Sequence, residues 1–71
     1  MYHGSLQALL GRRVLVEPKP GVIKQGIARY IRVAGDEYYL VVDLDEREGN
    51  IGTAFDAEHI IGPKYPDRHP A

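Results

Sequence analysis

Gln25-Gly26-Ile27-Ala28-Arg29-Tyr30-Ile31-Arg32-Val33, then Ala34-Gly35-Asp36, then Glu37-Tyr38-Tyr39-Leu40-Val41-Val42-Asp43-Leu44-Asp45 is the stretch whose reading decides the fold. β-Branched and aromatic residues dominate both arms, and Gly35-Asp36 sits where a hairpin needs unusual backbone angles. The pattern predicts two strands joined by a tight turn. In the second arm the strand period of two puts Tyr38, Leu40, Val42 and Leu44 on one face, and Tyr39, Val41, Asp43 and Asp45 on the other. The first face is the expected core, since burying each Leu or Val there stabilises by roughly 1.5–3 kcal/mol. Leu40 and Val42 are therefore expected fully buried and Tyr39 at least half exposed; a one-residue slip would exchange the faces. In the first arm Ile27, Ile31 and Val33 agree in phase while Ala28 and Tyr30 do not, which predicts a bulge or a strong bend. Gly26 opens that arm, where a missing side chain lets a strand cross closely over its neighbour.

Upstream, Ser5-Leu6-Gln7-Ala8-Leu9-Leu10-Gly11 reads as a short helical turn. Ser5 is its expected cap, Gly11 its end, and Leu6, Leu9 and Leu10 share a face at i, i+3 and i+4. So short a helix does not hold alone in water, so its leucines dock on the domain's own open end or on a second copy. Arg12 to Glu17 alternates as a first strand, with Val14 and Val16 on one face and Arg13, Leu15 and Glu17 on the other. Pro18-Lys19-Pro20-Gly21 then predicts a loop running to Lys24.

Downstream, Asp43 to Asn50 is an acidic loop, and Ile51-Gly52-Thr53-Ala54-Phe55 a weaker strand anchored by Phe55. Asp56-Ala57-Glu58-His59 reads as one helical turn capped by Asp56, and Ile60-Ile61 as a very short last strand. Pro63, Pro66 and Pro70 with charged neighbours mark a tail. The expected organisation is one domain over residues 1–62 and a flexible proline-rich tail over 63–71.

Composition bounds the class. Seventy-one residues make one small domain without a single cysteine, which removes disulfides and thiolate metal sites from consideration. No apolar run approaches the roughly 20 residues of a membrane helix, and Met1-Tyr2-His3-Gly4-Ser5 lacks a basic leader, so a soluble, cytoplasmic protein is expected. The net charge of −1 hides an asymmetry: six of the nine Lys and Arg residues precede Gly35, and nine of the ten acids follow it. Strands from the two halves pair, so their charges are expected to interleave.

Strand, loop, bent strand, tight turn, strand, loop, strand, one-turn helix, short strand: over about Gly11 to Ile61 this order resembles the SH3-like small barrel. The resemblance rests on Gly26 opening a bent strand, on the alternation from Tyr38 to Leu44, and on Phe55-Asp56-Ala57-Glu58-His59-Ile60. The segment Val14 to Ile31 loosely resembles a KOW or Tudor-type module, and Thr53 to Ile60 the end of the small barrel protein of photosystem I. The arrangement is also similar to type II dihydrofolate reductase, which binds its ligands through a Val-Gln-Ile-Tyr strand in a tetrameric pore. The strand corresponding to it here is Ile51-Gly52-Thr53-Ala54. The resemblance implies an all-β fold: an SH3-like small barrel of about five strands with a short N-terminal helix and a one-turn helix before the last strand.

No constellation points to catalysis, a metal or a cofactor. Asp43, Asp45, Glu48 and Asn50 suggest a cation loop, but Glu48 and Ala54 stand where an EF-hand needs glycine and glutamate. His3, His59 and His69 share no ligand spacing. The expectation is a non-enzymatic interaction module that contacts a protein, or a second copy, through Leu6, Leu9, Leu10, Tyr30 and Tyr39. The alternative is a nucleic-acid-binding barrel using Arg12, Arg13, Lys24, Arg29 and Arg32 beside the tyrosines. A third reading, from the reductase resemblance, is an oligomeric enzyme whose site forms between subunits. At a slightly negative net charge, binding to nucleic acid at physiological salt is expected to be weak or absent.

Overall fold

The computed structural model describes residues 2–45 and 52–65. Five antiparallel strands form one sheet: β1 (Arg13–Lys19), β2 (Val22–Ala34), β3 (Glu37–Leu44), β4 (Thr53–Phe55) and β5 (Ile60–Pro63), in the order β4-β3-β2-β1-β5. The only helical elements among the described residues are 3₁₀ turns, Leu6–Leu9 and Ala57–His59. The protein is a small all-β domain.

The sheet curls round its own core. β4 and β5 lie at opposite edges, four strand spacings apart; laid flat, that is roughly 19 Å. Phe55 and Ile60 nevertheless belong to one buried cluster with Leu9, Val14, Val16, Ala28, Leu40 and Val42. Asp56 and the turn Ala57–His59 alone connect them, and a 3₁₀ turn rises only about 2 Å per residue. A single sheet can bury one face in this way only by folding it inward. The 3₁₀ turn Leu6–Leu9 adds Leu9, 0% exposed, to this core.

The central hairpin has the expected register. Leu40 and Val42 are fully buried, Ala34 pairs with Glu37, and Gly35 takes a φ of 61° as the first turn residue, the position a type II′ turn reserves for glycine. The register shifts between Ala28 and Tyr30, so Arg29 is the extra residue of a bulge. This explains the blurred phase. Gly26 and Ala28 face the core before the bulge, Ile31 and Val33 after it, while Ile27 pairs with Asp43 and Arg13 on the outer face. The grouping of Ile27 with Ile31 and Val33 is thereby corrected. Gly26 lies where β2 crosses β3 most closely: a Cβ there would fall within 2.8 Å of both Asp43 C and Leu44 Cα.

Several boundaries differ from expectation. The loop expected from Pro18 to Lys24 is a tight turn, with Lys19 paired to Val22 across Pro20-Gly21 and Gly21 at φ 81°. Proline then glycine fits the two central positions of a type II turn, and the Gly21 amide donates to the Glu17 carboxylate at 2.9 Å. A register shift between Val16 and Lys19 accommodates Pro18, which has no amide to offer the ladder. β2 therefore begins at Val22 and not at Gly26. β5 runs to Pro63, and the Lys64 amide donates to the Arg13 carbonyl at 2.8 Å. The ordered pairing thus continues past the expected boundary at residue 62, and residues 66–71 lie outside the described residues, as do Glu46 to Ile51.

Two aromatic positions are corrected. Tyr38, expected in the core, is 59% exposed, because the tip of the β2–β3 hairpin extends past the described residues that cover its inner face. Tyr39, expected at least half exposed, is partly buried. It lines a groove with Pro18, Ala54, Phe55, Asp56 and His59. Val41, on the outer face, is also buried, since the backbone at Gly52 lies directly upon it: a Cβ on Gly52 would sit 2.6 Å from Val41 Cγ1.

Candidate interaction surface

The projecting hairpin is the outstanding surface feature. β4 covers β3 only from Leu40 to Val42, and on the other side β1 reaches no further along β2 than Ile27. Beyond these limits the hairpin's inner face continues as Ile31, Val33 and Tyr38. Val33 is 58% exposed and Tyr38 59%, and with Ser5, Leu6 and Gln7 they line a groove of about 480 Å³. Ile31 and Leu6 form its floor, each half-buried against the core.

The expected contact leucines separate. With three residues per turn, a 3₁₀ helix stacks Leu6 over Leu9 and turns Leu10 away. Leu9 is core, Leu6 borders the groove, and Leu10 is 40% exposed. Ser5 makes no side-chain cap; its carbonyl accepts from the Ala8 amide at 3.2 Å. Tyr30 stands on the outer face, 57% exposed and opposite Val41. Ile31, Val33 and Tyr38 were not among the expected site residues, although the alternation that runs on past the core was visible in both arms.

The basic residues do not gather on one face. Arg13 pairs with Asp45 at 2.6 Å, and Arg12 donates to the Tyr65 carbonyl at 2.6 Å. Lys24 is half-buried and registers with Val16, on the core side of the sheet. Arg29 and Arg32 are exposed on the hairpin, where Arg32 registers with Tyr39; Asp43 and Glu37 lie on the same strand pair. The charges interleave.

Two hydrogen-bonded pairs border the second groove. Asp56 accepts from the His59 amide at 3.3 Å and contacts His59 Nδ1 at 2.6 Å, and the His59 contact holds the Asp56 carboxyl below its ordinary value. The pair caps the 3₁₀ turn as expected. The Tyr39 hydroxyl donates to Glu37, and this bond, with the nearby Glu37 charge, raises the phenol above its ordinary 10.0. Among the described residues no group of His, Cys, Asp and Glu could hold a metal ion. No described helix is long and apolar enough to cross a membrane.

Comparison with known proteins gives no match: no family model, curated protein or solved structure matches the chain. Its own geometry carries the functional reading.

The Tyr39–Glu37 pair yields a measurable pH dependence. A phenol whose pKa is raised on folding contributes stability that is complete below the unfolded value near 10 and is lost as pH rises through the folded value. In an absorbance titration Tyr39 should ionise late. Tyr39→Phe should remove that late step, and Glu37→Gln should move it down. A Glu37→Gln titration superimposable on the native curve would refute the pairing.

Proposed function

We propose that this chain is a non-enzymatic, self-associating protein-interaction module with SH3-like organisation, and that the projecting β2–β3 hairpin is its contact surface. The strand order, the long bent β2 and the 3₁₀ turn before β5 support the organisation. The observation that carries the function is the uncovered continuation of the core face. Val33 and Tyr38 occupy core-phase positions yet stand 58% and 59% exposed, beside Leu6 and Ile31. Clustered apolar surface rimmed by polar residues is how contact sites are built, whereas single exposed apolar residues are ordinary. Tyrosine and arginine, both present on this hairpin, are also enriched at such sites.

Sedimentation equilibrium over a concentration series tests the reading. The native chain should exceed monomer mass, and Val33→Ser with Tyr38→Ser should return it to monomer. Both side chains are exposed, so the far-ultraviolet spectrum should hold, surface changes being within about ±0.5 kcal/mol, and the melting temperature should lose its dependence on protein concentration. A native chain that stays monomeric throughout rejects self-association. A sub-micromolar, salt-sensitive affinity for RNA or DNA would instead favour Arg12, Arg13, Lys24, Arg29 and Arg32 as the functional set.

A further inference from the structure

A second recess lies where β3 and β4 meet the turn Ala57–His59. Pro18, Tyr39, Ala54, Phe55, Asp56 and His59 enclose about 280 Å³, less than the roughly 300–1,000 Å³ of small-molecule pockets. It suits one side chain better than a whole small molecule. Two carboxylates converge on its tyrosine. Glu37 accepts from the Tyr39 hydroxyl, and Asp56 stands near enough that its charge also bears on the phenol. Each carboxylate uses one oxygen on a neighbour: Glu37 Oε2 on Tyr39, and Asp56 Oδ1 on the amide and Nδ1 of His59 at 3.3 and 2.6 Å. Arg32 registers opposite Tyr39 and its charge bears on the same phenol. Among the described residues, however, neither carboxylate pairs with a lysine or an arginine. The acids of this recess thus differ from Asp45, which Arg13 neutralises at 2.6 Å.

We infer that this recess receives an arginine side chain of a partner protein, as a contact separate from the hairpin surface proposed above. Charge complementarity selects a cation, because two carboxylates border the recess and repel each other until one arrives between them. The recess also matches the rest of an arginine. Pro18, Ala54 and Phe55 give its methylene stem an apolar wall, and the Tyr39 ring offers a face for a cation–π contact. A guanidinium is planar, weakly hydrated and carries five donors, so it can stack on the ring while donating to both carboxylates. The lysine ammonium is a strongly hydrated point charge and does this less well. A metal ion is the poorer occupant, since no described group of His, Cys, Asp and Glu could hold one. The inference adds a second contact to the module and does not depend on self-association.

The probe is a capped Gly-Gly-Arg-Gly-Gly peptide titrated into the full chain and followed by nuclear magnetic resonance. The same peptide with lysine, and with citrulline as the uncharged isostere of arginine, supplies the comparison. The arginine peptide should move the Tyr39, Ala54 and His59 signals to saturation, with a dissociation constant on the order of millimolar, the yield of a few exposed charge contacts. Lysine should bind about 2–5-fold more weakly, and citrulline should not bind. Glu37→Gln should weaken the arginine peptide by about 2–5-fold. Asp56→Asn, which keeps a residue able to cap the 3₁₀ turn, should do the same. Raising the salt concentration should weaken it as well. Citrulline binding as tightly as arginine, or saturable shifts confined to Ile31, Val33 and Tyr38, would overturn the site. Affinity unchanged in both Glu37→Gln and Asp56→Asn would overturn it too. Lysine binding as tightly as arginine overturns the choice of arginine, and no saturable shift with any peptide overturns the whole inference. The hairpin proposal is judged by mass, which none of these readings measures, so either can fail alone.

Discussion

Gly26→Ala is expected to lower the melting temperature by at least about 12 °C and to leave little folded protein at 37 °C. The added Cβ would lie within 2.8 Å of Asp43 C and Leu44 Cα, and closer still to the Asp43 carbonyl oxygen. Every one of these atoms is backbone, so no rotamer change relieves the overlap. β2 would have to lift from β3 at its most intimate crossing, beneath the buried pair Ala28 and Val42. Overpacking of a core costs about 1–3 kcal/mol, and a clash that only backbone movement can relieve belongs at the upper end. Each kcal/mol shifts the midpoint of a domain this size by about 4–8 °C. Gly35→Ala is the instructive control. It meets nothing within 4 Å but must hold a φ of 61°, a strain of roughly 1–2 kcal/mol for a residue with a Cβ. Thermal unfolding followed by circular dichroism should therefore rank Gly26→Ala well below Gly35→Ala. Equal midpoints would mean that β2 does not cross β3 as described.

Those two glycines also show what was legible in the sequence. The hairpin could be read because eight residues of β3 hold one phase, and because Gly35-Asp36 admits few turns. The β2 bulge announced itself as a broken phase, though the side to which Ile27 turned was not decided by it; the register with Asp43 decides that. Pro18-Lys19-Pro20-Gly21 was open to two readings, since the residues that interrupt a ladder also build a type II turn. The projection of the hairpin could not be read at all. Tyr38 has the phase of a core residue, and its exposure depends on how far β4 and β1 reach along their neighbours. That is a property of pairing lengths set by residues distant in the chain. Tyr39 was misjudged for the same reason: the groove that half-buries it brings together Pro18 and His59.

Leu9→Ser is expected to unfold the chain at every concentration, where Leu10→Ser should change stability by no more than about 0.5 kcal/mol. An i, i+3, i+4 pattern cannot by itself distinguish these neighbours; a 3₁₀ turn does, by stacking Leu9 beneath Leu6 and rotating Leu10 outward. Leu9 is fully buried against the cluster that includes Val14, Ala28, Leu40 and Ile60, and Leu10 is 40% exposed. Truncating a buried leucine costs about 2–5 kcal/mol through lost transfer energy and the cavity left behind. A serine hydroxyl in an apolar site adds about 1–3 kcal/mol if it finds no partner. The sum is comparable to the whole stability of a small domain, commonly about 5–15 kcal/mol and near the lower end at this length. Unfolding that does not depend on protein concentration would mark Leu9 as part of its own core. It would also keep Leu9 distinct from Val33 and Tyr38, whose replacement should change mass and not fold. Should Leu9→Ser retain the native strand spectrum and merely lower the measured mass, Leu9 would belong to the interface, and its assignment to the core would be wrong.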